Sequence, residues 1–190
     1  MKRTSLEVQP VFWLFAVLAV VVIPIKWVAA WAVSVAFHEL GHYITLRLLD
    51  IPVISVSIEC SGARMYTAAI TATQEILVAA MGPAFSLILV LSYRLIPHIA
   101  CCAFVLLFFN LLPFSAFDGN RILVNCLHKM MPSNQASVVL WSLRCLIIIT
   151  VIIVAVQLRW YILLAGAVVV LCRTVTFPCK RRKQIVQWSK

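Results

Sequence analysis

Apolar runs separated by short polar breaks cover almost the whole chain. They occupy residues 11–25, 27–49, 73–95, 99–124, 136–156 and 160–177. An α-helix of about 20 residues is needed to cross the roughly 30 Å hydrocarbon layer of a bilayer, and most of these runs meet that length. The pattern predicts six membrane-spanning helices. The fourth run starts smoothly and is then interrupted by Asn110, Pro113, Asp118 and Gly119, residues that weaken or break a helix. The third contains Gly82-Pro83 with Ser86, a combination that marks a kink or close helix packing. No internal repeat, low-complexity tract or linker interrupts the series.

Between the second and third runs the periodicity changes. Val53, Ser55, Val56, Ser57 and Ile58 are β-branched or small, Gly62 offers a turn, and Met65-Tyr66-Thr67 supplies a returning strand. A short hairpin over residues 53–66 is expected. It is too short and too polar to span, so its edges belong at the interface or in a water-filled cavity. An ordinary surface hairpin and an element that holds a substrate are both compatible with it. The expected fold is an all-α membrane protein, a polytopic bundle of about six transmembrane helices with this membrane-associated β-hairpin between spans 2 and 3. Residues 1–177 form one transmembrane domain and residues 178–190 a basic cytoplasmic tail.

Composition strengthens the membrane reading. Of 190 residues 64% are hydrophobic and 12% charged, against about half and a quarter in a soluble domain. The formal charge of +10 would suggest nucleic acid in a soluble protein, but the basic residues lie between apolar runs and in the tail. Contact with anionic lipid is the better reading, with no nucleic-acid partner. With the N-terminus inside, twelve basic residues are cytoplasmic and only Lys26, Arg94 and Arg159 fall outside, leaving out the intramembrane Arg144. That asymmetry places both termini in the cytoplasm. Arg144 either snorkels to the inner face or pairs with an acid near the candidate site. The first run follows Met1-Lys2-Arg3 as in a signal peptide, but without a small-residue cleavage site it reads as a retained helix. The seven cysteines have no CxxC or paired spacing and read as reduced apolar fillers.

The candidate chemistry lies in the second run, which carries His38-Glu39-Leu40-Gly41-His42. On a helix, histidines at i and i+4 share one face, so both imidazoles can bind one zinc ion. Glu39, beside the first ligand, can then act as general base on a metal-bound water. A catalytic zinc site normally needs a third protein ligand. The six acids are Glu7, Glu39, Asp50, Glu59, Glu75 and Asp118, and only Asp118 joins Glu39 inside an apolar run. A charge there is costly unless it faces a cavity, a partner or a metal, which makes Asp118 the third-ligand candidate. The alternative is a loop-end aspartate paired with Arg121. For straight helices running the same way, Asp118 would also lie roughly 12 Å nearer the cytoplasm than His38. Unwinding or kinking at Pro113 and Gly119 would relieve the mismatch.

These residues resemble the site-2 proteases, intramembrane zinc metalloproteases with HExxH in one transmembrane helix and N-x-x-P followed closely by D-G in another. Here the two motifs read HELGH and Asn110-Leu-Leu-Pro113-Phe-Ser-Ala-Phe-Asp118-Gly119, and Gly82-Pro83 is similar to a Gly-Pro segment of the family. The short layout looks most like the bacterial branch containing sporulation factor IVFB-type proteases. By that resemblance His38, His42 and Asp118 bind one Zn2+, Glu39 activates water, and Asn110 holds substrate or stabilises the reacting group. The implied activity is cleavage of a membrane-embedded or membrane-tethered protein in a bacterial cytoplasmic membrane, with room for a regulatory membrane protein. The chain departs from the pattern at Ser115-Ala116, where a further proline is common, and at Asn120, where a second glycine is common. No nucleotide-sensing domain follows span 6.

Two other readings remain at this level. Clustered intramembrane ionisable groups also mark cation or proton transporters, and a catalytically dead scaffold would keep the same motifs. Asn110 is alternatively a helix-breaking polar residue satisfied by backbone. His98 and His128 read as interfacial residues rather than ligands.

Overall fold

The computed structural model describes residues 5–59 and 62–157. The sixth expected span, residues 160–177, and the tail, 178–190, lie outside them. The order is β1 (Ser5–Val8), α1 (Pro10–Val22), α2 (Ile25–Leu48), β2 (Val53–Glu59), β3 (Gly62–Thr67), α3 (Ala72–Leu91), α4 (Pro97–Asn110), α5 (Asp118–Met130) and α6 (Ser133–Gln157). Among the described residues, α3 and α6 are long and apolar enough to cross a membrane by length and composition, while α1 and α4 are apolar but shorter. The 24 residues of α2 give it ample length, about 36 Å, but it carries the polar motif.

The helices pack inside out relative to a water-soluble bundle. The buried stripe of α2 is Ala30, Ser34, His38, Gly41, His42, Thr45 and Leu46, spaced three and four residues apart as one helical face requires. Its outer face exposes Trp27, Trp31, Val33, Leu40 and Tyr43. On α3, Ala79, Gly82, Pro83 and Ser86 are buried while Leu77, Leu87, Ile88 and Leu91 are exposed. Small and polar groups inside with large apolar groups outside suit helices surrounded by lipid tails; in water such a surface would be a large exposed apolar patch. Packing joins α2, α3 and α4 to one another and α5 to α3, with α6 against α5.

The expected hairpin is present, as two strands of a three-stranded sheet. Strands β2 and β3 pair antiparallel with an irregularity between Val53 and Ser55, and β1 adds to β2 in parallel, giving the order β1-β2-β3. Glu7, which the apolar pattern leaves outside any element, is thus part of a strand. Parallel pairing joins segments far apart in sequence, so a four-residue strand leaves little local signal. Leu46, Ile51 and Val78 form a buried cluster against which Val53, Met65 and Ile70 pack, fixing the sheet to α2 and α3.

The fourth expected span is two helices. After α4 ends at Asn110, residues 111–117 are irregular, and α5 begins at Asp118. The second helix bears Arg121, Asn125, His128 and Lys129, which end the apolar run.

Candidate metal centre

His38 and His42 face the core because they fall on the small, buried stripe of α2, one turn apart, with their rings edge to face at 4.9 Å. Asp118 arrives from the other side. The break after α4 lets α5 start at the depth of the histidines, and the carboxylate occupies the first turn of α5, where the helix dipole favours negative charge. Asp118 Oδ2 lies 3.1 Å from His38 Nε2 and 3.2 Å from His42 Nε2, and the two Nε2 atoms are 3.2 Å apart. The displacement expected for straight helices is therefore removed by the break. Arg121, the alternative partner for Asp118, instead approaches Glu75 at 3.6 Å on the half-exposed outside of α3 and α5.

Bonds at the far side of each ring orient the pair. His42 Nδ1 donates to the Val78 carbonyl at 2.8 Å; a carbonyl only accepts, so the Nδ1 proton is fixed and the Nε2 lone pair points inward. His38 Nδ1 lies 2.9 Å from the Ser86 hydroxyl, which is fully buried. Both partners are on α3. Pro83, within the same stretch of α3, has no N–H to give the helix, so the Ala79 carbonyl one turn earlier lacks its usual helical donor. Gly82 makes the approach possible: a Cβ there would overlap the His42 ring and crowd His38 Nε2. In the sequence Gly82-Pro83 and Ser86 mark a kink or close packing, and the hydrogen bonds to the imidazoles carry no sequence signature of their own.

The donor set fits a metal ion. A tetrahedral ion with ligands at about 2.0–2.1 Å spaces them about 3.3 Å apart, close to the observed triangle. Two imidazole nitrogens and one carboxylate oxygen, all buried and within 4.8 Å of one another, are ligands that zinc accepts, and three protein ligands leave a fourth position open.

Glu39 sits partly buried beside this group, its Oε1 accepting from the backbone N–H of Ala63 on β3 at 3.3 Å. Asn110 ends α4, and its Nδ2 donates to the Leu106 carbonyl of its own helix at 3.0 Å. The structure thus brings His38, His42 and Asp118 together, puts Glu39 against the sheet, and gives Asn110 a local bond at the edge of the break. Arg144 is buried rather than snorkelling outward, and it donates to the Pro113 carbonyl and the Asn120 side chain. His98 contacts the Trp27 ring at 4.9 Å, away from the centre.

No protein-family model and no curated protein matches the chain. Among solved structures, the Site-2 Protease from Methanocaldococcus jannaschii is similar, with a TM-score of 0.60 and 20% identity over 87% of this chain and 86% of that one. Over most of its length, therefore, the chain has the fold of that site-2 protease.

Proposed function

We propose that the protein is a zinc-dependent intramembrane endopeptidase that hydrolyses a peptide bond in or near the membrane segment of a membrane-tethered protein. The observation that carries this reading is the convergence of His38, His42 and Asp118 within 4.8 Å, with the acid of the HELGH motif next to the first histidine. The fold shared with a site-2 protease supports it. In this reading His38 Nε2, His42 Nε2 and an Asp118 carboxylate oxygen hold the ion. Bound zinc supplies Lewis acidity toward a carbonyl oxygen and a water molecule.

The chain's own residues do the rest. The Glu39 carboxylate accepts the proton of the attacking water and passes it to the leaving amine. Ser86 and the Val78 carbonyl keep the imidazoles turned toward the ion. A substrate helix hides its carbonyls in internal hydrogen bonds, so a segment must unwind, and pairing with an edge strand of the sheet would replace the bonds lost. Asn110, at the break, is proposed to exchange its bond to Leu106 for one to substrate. The accompanying layout is six spans with both ends of residues 1–190 cytoplasmic, the tail on anionic lipid, in a bacterial membrane and nearest the IVFB-type branch. A sporulation substrate and a regulatory membrane protein belong to that same proposal.

Reconstitution with candidate single-span substrates tests it. Wild type should cleave and Glu39→Gln should retain zinc without cleaving. Cleavage unchanged by Glu39→Gln removes the assigned role, and ion flux that survives Glu39→Gln with no proteolysis points to a cation transporter.

A further inference from the structure

Arg144 is a buried charge in an otherwise apolar stretch of α6, and the chemistry above does not use it. A buried guanidinium is costly unless its N–H groups are satisfied. Here Nε donates to the Pro113 carbonyl at 2.7 Å and Nη2 to Asn120 Oδ1 at 2.6 Å. Pro113 lies within the break between α4 and α5, and Asn120 lies in the first turn of α5, two residues after Asp118. One rigid, planar fork therefore grips the chain on both sides of the carboxylate.

Among the described residues, the backbone bonds of the break are short in sequence: Leu111 N–H to the Leu107 carbonyl, Leu112 N–H to the Phe109 carbonyl and Phe117 N–H to the Phe114 carbonyl. Gly119 packs onto the Leu111 backbone so closely that a Cβ would overlap it, so the start of α5 has little room to shift without losing this contact.

We infer that Arg144 is a positioning residue: by tying the Pro113 carbonyl to the Asn120 side chain, it fixes the start of α5 and the approach of Asp118 to His38 and His42. The inference rests on the metal-site reading above and extends it to α6, with Asn120 supplying the acceptor oxygen that a glycine at this position would lack.

The test is zinc affinity of the full chain in detergent or nanodiscs, measured by chelator competition, for wild type, Asn120→Ala, Arg144→Lys, Arg144→Met and the Asn120→Ala/Arg144→Met pair. Asn120→Ala and Arg144→Met should each weaken zinc binding by roughly 10- to 100-fold, the usual effect of losing a group that supports a ligand. Arg144→Lys should recover part of the loss, because an ammonium reaches one acceptor without the fork. The double variant should be no weaker than Arg144→Met, since both act through one link. With cobalt(II) in place of zinc, Arg144→Lys should show shifted visible bands at equal loading. Asn120→Ala removes a single side-chain amide, so it decides the matter even if Arg144→Met does not fold. Unchanged affinity in Asn120→Ala, or losses that add in the double variant, would overturn the role of Arg144. A wild-type chain that binds no zinc overturns the metal reading itself.

Discussion

The carboxylate of Glu39 on α2 accepts a hydrogen bond from the backbone N–H of Ala63 on β3, 3.3 Å away. This joins the acid of the motif to the sheet, whose attachment to α2 and α3 comes from the Leu46, Ile51 and Val78 cluster. Ala63→Pro removes the donor and sets the ring Cδ where the N–H pointed toward Glu39, so the carboxylate must draw back from β3. A hydrogen bond to a charged group contributes about 1.5–3 kcal/mol, so cleavage should fall by roughly tenfold or more. Zinc content, measured on the same sample, should be unchanged; a parallel loss of zinc would show that the substitution had disturbed the metal ligands instead.

Removing the third ligand should separate occupancy from folding. Asp118→Asn keeps the shape of the side chain but removes the charge that meets both imidazoles at 3.1 and 3.2 Å. Metal analysis of purified protein is expected to show substoichiometric zinc and assays to show lost cleavage. Chelation of the wild type should abolish cleavage, with zinc restoring it. Full zinc occupancy in Asp118→Asn would move the third ligand elsewhere.

Space around the imidazoles gives a steric prediction. In Gly82→Ala the added methyl meets the His42 ring and His38 Nε2. Overpacking of this kind costs about 1–3 kcal/mol, and the rings must turn to relieve it. Both a lower melting temperature and weaker zinc binding are expected, whereas Ala79→Gly on the same helix should lower the melting temperature alone.

Ser86→Ala addresses the outer side of His38. The substitution removes the hydroxyl 2.9 Å from Nδ1 and leaves a buried ring nitrogen without this partner. Zinc affinity should fall by roughly 10- to 100-fold, with Ser86→Thr recovering part of it. Chelator competition reads both, and equal affinity in Ser86→Ala would remove the orienting role.

Much of this arrangement is legible in the sequence because it depends on local spacing. The two histidines of HELGH share a face by helical periodicity, and Asn110, Pro113 and Gly119 announce an interrupted helix. Asp118 could be selected because so few acids lie in apolar runs. What remained hidden depends on long-range contacts: the parallel pairing of Ser5–Val8 with β2, the Val78 carbonyl on His42, and the reach of Arg144 to residues 24 and 31 positions away. Arg144 illustrates the difference. Its burial cost is visible in sequence, but it donates to a backbone carbonyl and a neutral amide, acceptors that charge counting does not find.

The small, polar inward stripe of α2 also sets which changes the protein can absorb over time. On its outward face Val33 and Leu40 can drift among apolar residues of many shapes, since fluid lipid tails adapt to each. Inward, Ala30 and Ser34 govern how near two backbones stand, so one added methyl at either is felt across the helix interface. Substitution records for such a chain would therefore invert those of a water-soluble enzyme: its large hydrophobic positions would be the variable ones, and its alanines, glycines and serines the fixed ones.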